Sequence, residues 1–200
     1  SKIKYSKIFI SKRSPKISKL LSKKSKKIII YDNNQKILDS SDWIFLALTP
    51  KVGNEIIKKL IFKKKHLIIS FISTIKMKDL KKLIRVKAKI VRAIPLPPIS
   101  LKKGPVPIFP PNRKVKEFFN KLGNTIEINR ENLSLNFWAT SSIMAPFYEI
   151  LQCLSSWLVQ KGVKKYNSQK YITSLFLALA EDANEKSNDL KKLVKESQTP

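Results

Sequence analysis

Asp42-Trp-Ile-Phe-Leu-Ala-Leu-Thr-Pro-Lys51 is the stretch on which the fold turns, and His66-Leu-Ile-Ile-Ser-Phe71 repeats its form. Each apolar run has the length of a strand rather than a helix, follows polar residues, and precedes a segment with helical spacing. After the first run, Pro50 opens a helix in which Val52, Ile56, Ile57, Leu60 and Ile61 recur at helical intervals. Alternating strands and helices define an α/β chain, and in such sheets ligands gather beyond the carboxyl ends of the strands. The Ala47-Leu48-Thr49-Pro50 corner is therefore of more functional interest than the strand leading into it.

The alternation extends in both directions. Upstream, Lys7–Ile10 reads as a strand, and Ser14-Pro15 as an N-cap with proline in the first helical turn. That helix is expected to run to about Lys24, followed by a strand over Lys27–Tyr31 and a turn or short helix over Asn33–Ser40. Downstream, Met77–Ile84 is helical, and Lys89–Ile94 is a strand stopped by Pro95-Leu-Pro-Pro98. Pro105–Phe109, with its prolines, reads as an edge strand. A helix over Arg113–Leu122 with Gly123 as its C-cap and a strand over Thr125–Ile128 complete the sheet. From about Glu131 strand signals vanish. Helical patterns cover Leu133–Gln160, Ser168–Asn184 and a shorter stretch near Asp189–Glu196. The first is apolar on more sides than one packing face needs, which predicts an all-helical domain that dimerises. The expected domains are 1–130 and 131–200.

Composition bounds the function. At 200 residues and 42% hydrophobic content the chain can bury a substantial core. Its formal charge of +27 would suit a polyanion, but lysine is spread through nearly every segment and arginine occurs only at 13, 85, 92, 113 and 130. Base-reading surfaces favour arginine for its bidentate fork, so no specific nucleic-acid partner is expected. A basic polyanion-binding protein remains the alternative from a different class. The lone Cys153 allows no internal disulfide, fits a reducing compartment, and is expected to be buried in an apolar helix. No apolar stretch reaches the roughly 20 residues that span a bilayer, so a membrane partner is not expected and the cytoplasm is the expected location. One histidine and one cysteine offer no metal-ligand spacing. His66 begins a strand, away from the ligand edge, and Glu181, Asp182 and Glu185 read as a solvated helix face. No catalytic side chain stands out.

Where a nucleotide could bind, the usual Gly-x-Gly-x-x-Gly turn is missing: the four glycines, at 53, 104, 123 and 162, are not so arranged. Either the chain never had that turn or its first strand precedes Ser1. Ser11-Lys-Arg-Ser14 favours the second alternative. The end of the second strand of a dinucleotide fold meets the adenosine ribose, where an acid selects the free 2′-hydroxyl and arginine accommodates a 2′-phosphate. No acid is present in this turn. Arg13 can contact a phosphate bidentately, and Ser11, Ser14 and helix amides can add hydrogen bonds.

In this order, Lys7-Ile-Phe-Ile-Ser-Lys-Arg-Ser14, Ser41-Asp-Trp-Ile-Phe-Leu-Ala-Leu-Thr-Pro-Lys51, Leu67-Ile-Ile-Ser-Phe71, Val91-Arg-Ala-Ile-Pro-Leu-Pro97 and the helices from Glu131 resemble pyrroline-5-carboxylate reductases from their second strand onward. The resemblance implies a Rossmann-like domain lacking its first strand, followed by a helical dimerisation domain. It implies an NADPH-dependent oxidoreductase that reduces a cyclic imine, most directly 1-pyrroline-5-carboxylate to L-proline, as a homodimer or larger homo-oligomer. Ser11, Arg13 and Ser14 would hold the 2′-phosphate of NADP(H), Asn34 would lie beside the adenosine, and Ala47, Leu48, Thr49 and Pro50 would line the dinucleotide. The family's glycine turn would lie just before Ser1. Its substrate loop would begin near Gln198-Thr199-Pro200, making Thr199 a candidate substrate contact. Thr49 stands where the family has lysine, Thr74 where it has glycine, and Leu96 where it has asparagine. A divergent member with another imine substrate, or with no activity, is the nearest alternative.

Overall fold

In the computed structural model, which describes residues 3–185 and 189–198, each short β-branched run forms a strand. β1 (Ile8–Ser11) pairs in parallel with β2 (Ile28–Tyr31), Ile8 opposite Ile28 and Ser11 opposite Tyr31. β3 (Trp43–Leu46), β4 (Leu67–Ser70), β5 (Lys89–Ala93), β6 (Pro105–Phe109) and β7 (Asn124–Glu127) form a second sheet in that order, parallel except between β5 and β6. Helices α1 (Pro15–Lys24), α2 (Asn34–Asp39), α3 (Pro50–Lys58) and α4 (Met77–Ile84) alternate with the parallel strands, and α5 (Arg113–Phe119) joins β6 to β7. The strands thus fall into two sheets, β1-β2 and β3-β4-β5-β6-β7.

The period of two along a strand divides the core. Ile44, Leu46, Ile68 and Ile90 pack with Leu38 of α2, Ile57 of α3, and Leu80 and Ile84 of α4. Ile69, Val91, Val106 and Ile108 pack with Val115 and Phe119 of α5 on the opposite face. Each buried side chain of this size contributes about 1.5–3 kcal/mol. β4 is buried at all four positions, as a strand covered on both faces must be.

Several expectations are corrected. β6 lies between β5 and β7 rather than at an edge. The backbone of Gly104 and Ile108 accepts hydrogen bonds from Asn124 and Ile128, so even-numbered residues serve β7 and Pro105 and Pro107 face β5. There Pro107 still accepts from the Ile94 N–H, at 3.4 Å, and lacks only a donor. α5 ends at Phe119 with Asn120 as C-cap, so Gly123 does not cap it. Gly123 is instead required by a close approach: a Cβ there would sit 2.5 Å from the Gly104 carbonyl oxygen. Ile61, expected on the packing face, lies beyond the end of α3 and is 71% exposed.

The chain divides into two compact units, 1–139 and 140–200, and all but the last residue of α6 (Glu131–Thr140) lies in the first. The single helix expected over Leu133–Gln160 is broken. A 3-10 turn at Ser141–Ile143 separates α6 from α7 (Met144–Gln160). Pro146 has no N–H for the preceding turn and is tolerated only near a helix start, which places the restart. In the second unit α7 lies against α8 (Lys165–Glu185), where the Ser168 hydroxyl donates to the Ser155 carbonyl at 2.7 Å, and α9 (Leu190–Glu196) follows. Cys153, expected to be buried, is exposed on α7. Among the described residues no helix is long and apolar enough to cross a membrane.

Candidate functional site at the carboxyl ends of the strands

Every predicted position among the described residues falls at the carboxyl end of a parallel strand. Ser11 ends β1, and the Arg13 N–H donates to the Ser11 hydroxyl at 3.3 Å, folding the turn back on the strand. Ser14 is the N-cap of α1 and makes no side-chain capping bond, and Pro15 opens a helix with no acid in its first turn. An anion at this helix start meets backbone N–H groups and an exposed guanidinium with no competing carboxylate in the turn. Lys12, not singled out from the sequence, adds a cation and pairs with Asp32 beyond β2 at 3.3 Å. These residues fit the 2′-phosphate of NADP(H).

Asn34, the first residue of α2, is half-buried beyond β2. The capping role beside it belongs to Asn33, which accepts the Gln35 N–H at 2.7 Å. β3 ends at Leu46, two residues sooner than its apolar run, which leaves Ala47, Leu48 and Thr49 as an irregular corner before Pro50. Ala47, Thr49 and Pro50 are exposed and Leu48 packs on the core. Among the described residues no hydrogen bond or ion pair joins this corner to the 11–14 turn. Thr199 lies outside the described residues.

A second set of groups, which sequence reasoning misses, gathers beyond β4 and β5. Arg92 on β5 is 2% exposed. It pairs with the Glu131 carboxylate at the start of α6, donates to the Ser73 carbonyl at 2.6 Å, and lies 4.5 Å from the Trp138 ring centre. Glu131 also accepts the Met77 N–H at 2.6 Å, at the start of α4. Burial pulls the Arg92 pKa down and Glu131 pulls it back up. A guanidinium remains charged in this setting. The sequence does carry a signal for it: an arginine within the apolar Ile90-Val-Arg-Ala-Ile94 of a chain whose cations are mostly lysine.

His66 is no part of this edge. It lies buried at the opposite end of β4, its Nδ1 accepting the Lys63 N–H at 3.1 Å. Among the described residues no group of histidine, cysteine and acidic side chains could hold a metal.

Parallel strands with helical crossovers, followed by a helical unit, define a Rossmann-like doubly wound fold. No protein-family model and no curated sequence matches the chain. Solved structures do, and the fold is that of pyrroline-5-carboxylate reductases. The 1-pyrroline-5-carboxylate reductase of Streptococcus pyogenes superposes with a TM-score of 0.83 at 20% identity, covering 97% of this chain and 76% of that one. The Plasmodium falciparum pyrroline carboxylate reductase with NADP bound gives 0.82 at 19% identity, over 99% and 76%. A reductive aminase from Aspergillus terreus in complex with NADPH and ethyl levulinate gives 0.64 at 10% identity, over 89% and 66%.

Proposed function

We propose that this protein is an NADPH-dependent reductase of C=N bonds whose substrate is 1-pyrroline-5-carboxylate and whose product is L-proline. The observation that carries the reading is the superposition on two pyrroline carboxylate reductase structures over nearly the whole chain. When bound, NADPH supplies the hydride that reduces the imine carbon. Ser11, Arg13 and Ser14 grip its 2′-phosphate, Asn34 borders the adenosine, and the backbone from Ala47 to Pro50 forms the wall along the dinucleotide. The imine enters as its nitrogen-protonated iminium, the proton coming from solvent, so hydride addition gives the neutral amine and the protein's contribution is to orient the imine against the nicotinamide. The protein acts in the cytoplasm as a homodimer or larger homo-oligomer.

Another imine is the alternative substrate, and one set of observations speaks for it: Thr49, Thr74 and Leu96 differ from the motifs of the family the sequence resembles. The experiment separates the two. The full-length protein is supplied with NADPH or NADH and either pyrroline-5-carboxylate or simple cyclic imines, and proline formation and coenzyme oxidation are followed. Proline formed faster with NADPH supports the proposal. NADPH binding with no proline moves the substrate to another imine, and equal affinity for the two coenzymes defeats the cofactor assignment.

A further inference from the structure

Arg92 ties together three segments that the sequence keeps far apart: its own strand β5, the Ser73 carbonyl in the turn after β4, and Glu131 at the start of α6. Glu131 extends the tie to the first amide of α4 through the Met77 N–H. Trp138, two turns further along α6, closes over the guanidinium. Burying a charge in this way is costly, and a hydrophobic group of similar volume commonly stabilises a fold as well or better. The geometry is what such a group could not reproduce. A planar fork with two donors meets two acceptors at once while its face rests on an indole, which lysine cannot imitate.

The turn it fixes lies at the ligand edge. Ser73 adjoins Thr74, and Arg92 stands four residues before Leu96, two of the three positions where this chain departs from the motifs of the family its sequence resembles. We propose that Arg92 is a positioning residue: it touches neither coenzyme nor imine and, with Glu131, holds the turn after β4 in the geometry that orients the imine for reduction. This rests on the reductase reading above.

The test uses the full-length protein and the variants Arg92→Lys, Arg92→Met and Glu131→Gln. Hydrogen exchange is read at Met77 and across 73–76, alongside NADPH affinity and the steady-state constants for the imine. Arg92→Lys keeps the charge and is expected to remain folded. Its exchange over 73–77 should rise on the order of tenfold, as local opening becomes easier. Its kcat should fall about tenfold to a hundredfold, the scale of misplacing a reacting group by an ångström, with NADPH affinity and KM nearly unchanged. Arg92→Met, which removes both donors, should show at least as large an effect, and Glu131→Gln the same pattern more weakly. Unchanged exchange and kcat in folded Arg92→Lys overturn the proposal, as does a parallel loss of NADPH binding and melting temperature, which marks a general packing role. A wild-type protein that binds NADPH and reduces no imine defeats the reductase reading; the exchange measurement then still decides whether Arg92 holds the turn.

Discussion

Arg13 and His66 show how far single side chains can be read. Arg13 sits in a turn with no acid and beside an N-cap hydroxyl that makes no capping bond, so its expected partner is a phosphate. A charge-assisted hydrogen bond contributes about 1.5–3 kcal/mol. Arg13→Ala should therefore weaken NADPH binding about tenfold to a hundredfold and leave NADH binding unchanged, as titration of coenzyme fluorescence will report. His66 has the opposite character. Burial, then Lys65 and Lys63, lower its pKa below the ordinary value, while Asp39 and Asp42 raise it. The buried ring is neutral, since its Nδ1 accepts the Lys63 N–H. In the unfolded chain the imidazole takes up a proton near pH 6.5, whereas the folded protein resists it. Its contribution to stability is thus complete above that pH and lost as pH falls through the depressed folded value, at up to about 1.4 kcal/mol per pH unit. His66→Asn keeps an acceptor for Lys63 and removes the titration. Urea unfolding between pH 7.5 and 5 should show the wild type losing stability faster than this variant; parallel curves would refute the linkage.

Strands and helices are legible where burial follows a simple period, and less so where a residue acts through its surroundings. β4 and α3 follow from the short run Leu67–Ser70 and from the helical spacing around Ile57, because β4 is covered on both faces and α3 buries the face its period predicts. Sequence reasoning misplaces β6 at an edge because it takes proline as a break in pairing on both sides. The prolines of β6 occupy alternate positions and so spend their missing donors on one neighbour only. A cap at Gly123 would be a local role, while its need for a bare α-carbon comes from Gly104 across β6 and β7. Gly123→Ala drives a Cβ against a carbonyl oxygen, which cannot rotate away as a side chain can. Overpacking of this kind costs about 1–3 kcal/mol, and denaturant unfolding should register that loss. Alanine at Gly162, where an added Cβ would have no atom within 4 Å, meets no such clash. Its cost comes from φ alone. The candidate site divides in the same way. The 11–14 turn and the 47–50 corner are contiguous in sequence and can be read from it. The Arg92, Glu131 and Ser73 group joins residues from three places, and only folding brings them together.

For the molecule as a whole, charge and apolar surface are distributed unequally. Residues 140–200 contain eight lysines and six acidic residues, so most of the +27 lies in the first unit. The second unit exposes Tyr148, Ile150, Leu154 and Trp157 on α7 and Tyr171, Leu177 and Leu179 on α8, with Trp157 at 55%. Apolar area of this extent on a nearly neutral unit is the signature of an interface, and Ser155, Ser168 and Ile172 are its few buried side chains among the described residues. A second copy of the chain is the proposed cover, and the charge decides how such a dimer should respond to salt. Two strongly basic first units repel, and that repulsion is screened over about 10 Å at 0.1 M salt. An apolar dimer should therefore tighten from low to moderate salt. Binding to a polyanion would weaken steeply over the same range, because each released counterion opposes it. Sedimentation equilibrium at both salt concentrations distinguishes the two. Trp157→Asp, which puts a charge into the exposed apolar surface, should shift the protein to monomer while leaving its helical circular dichroism intact. A wild-type protein that remains monomeric at every salt concentration removes the dimer from the proposal.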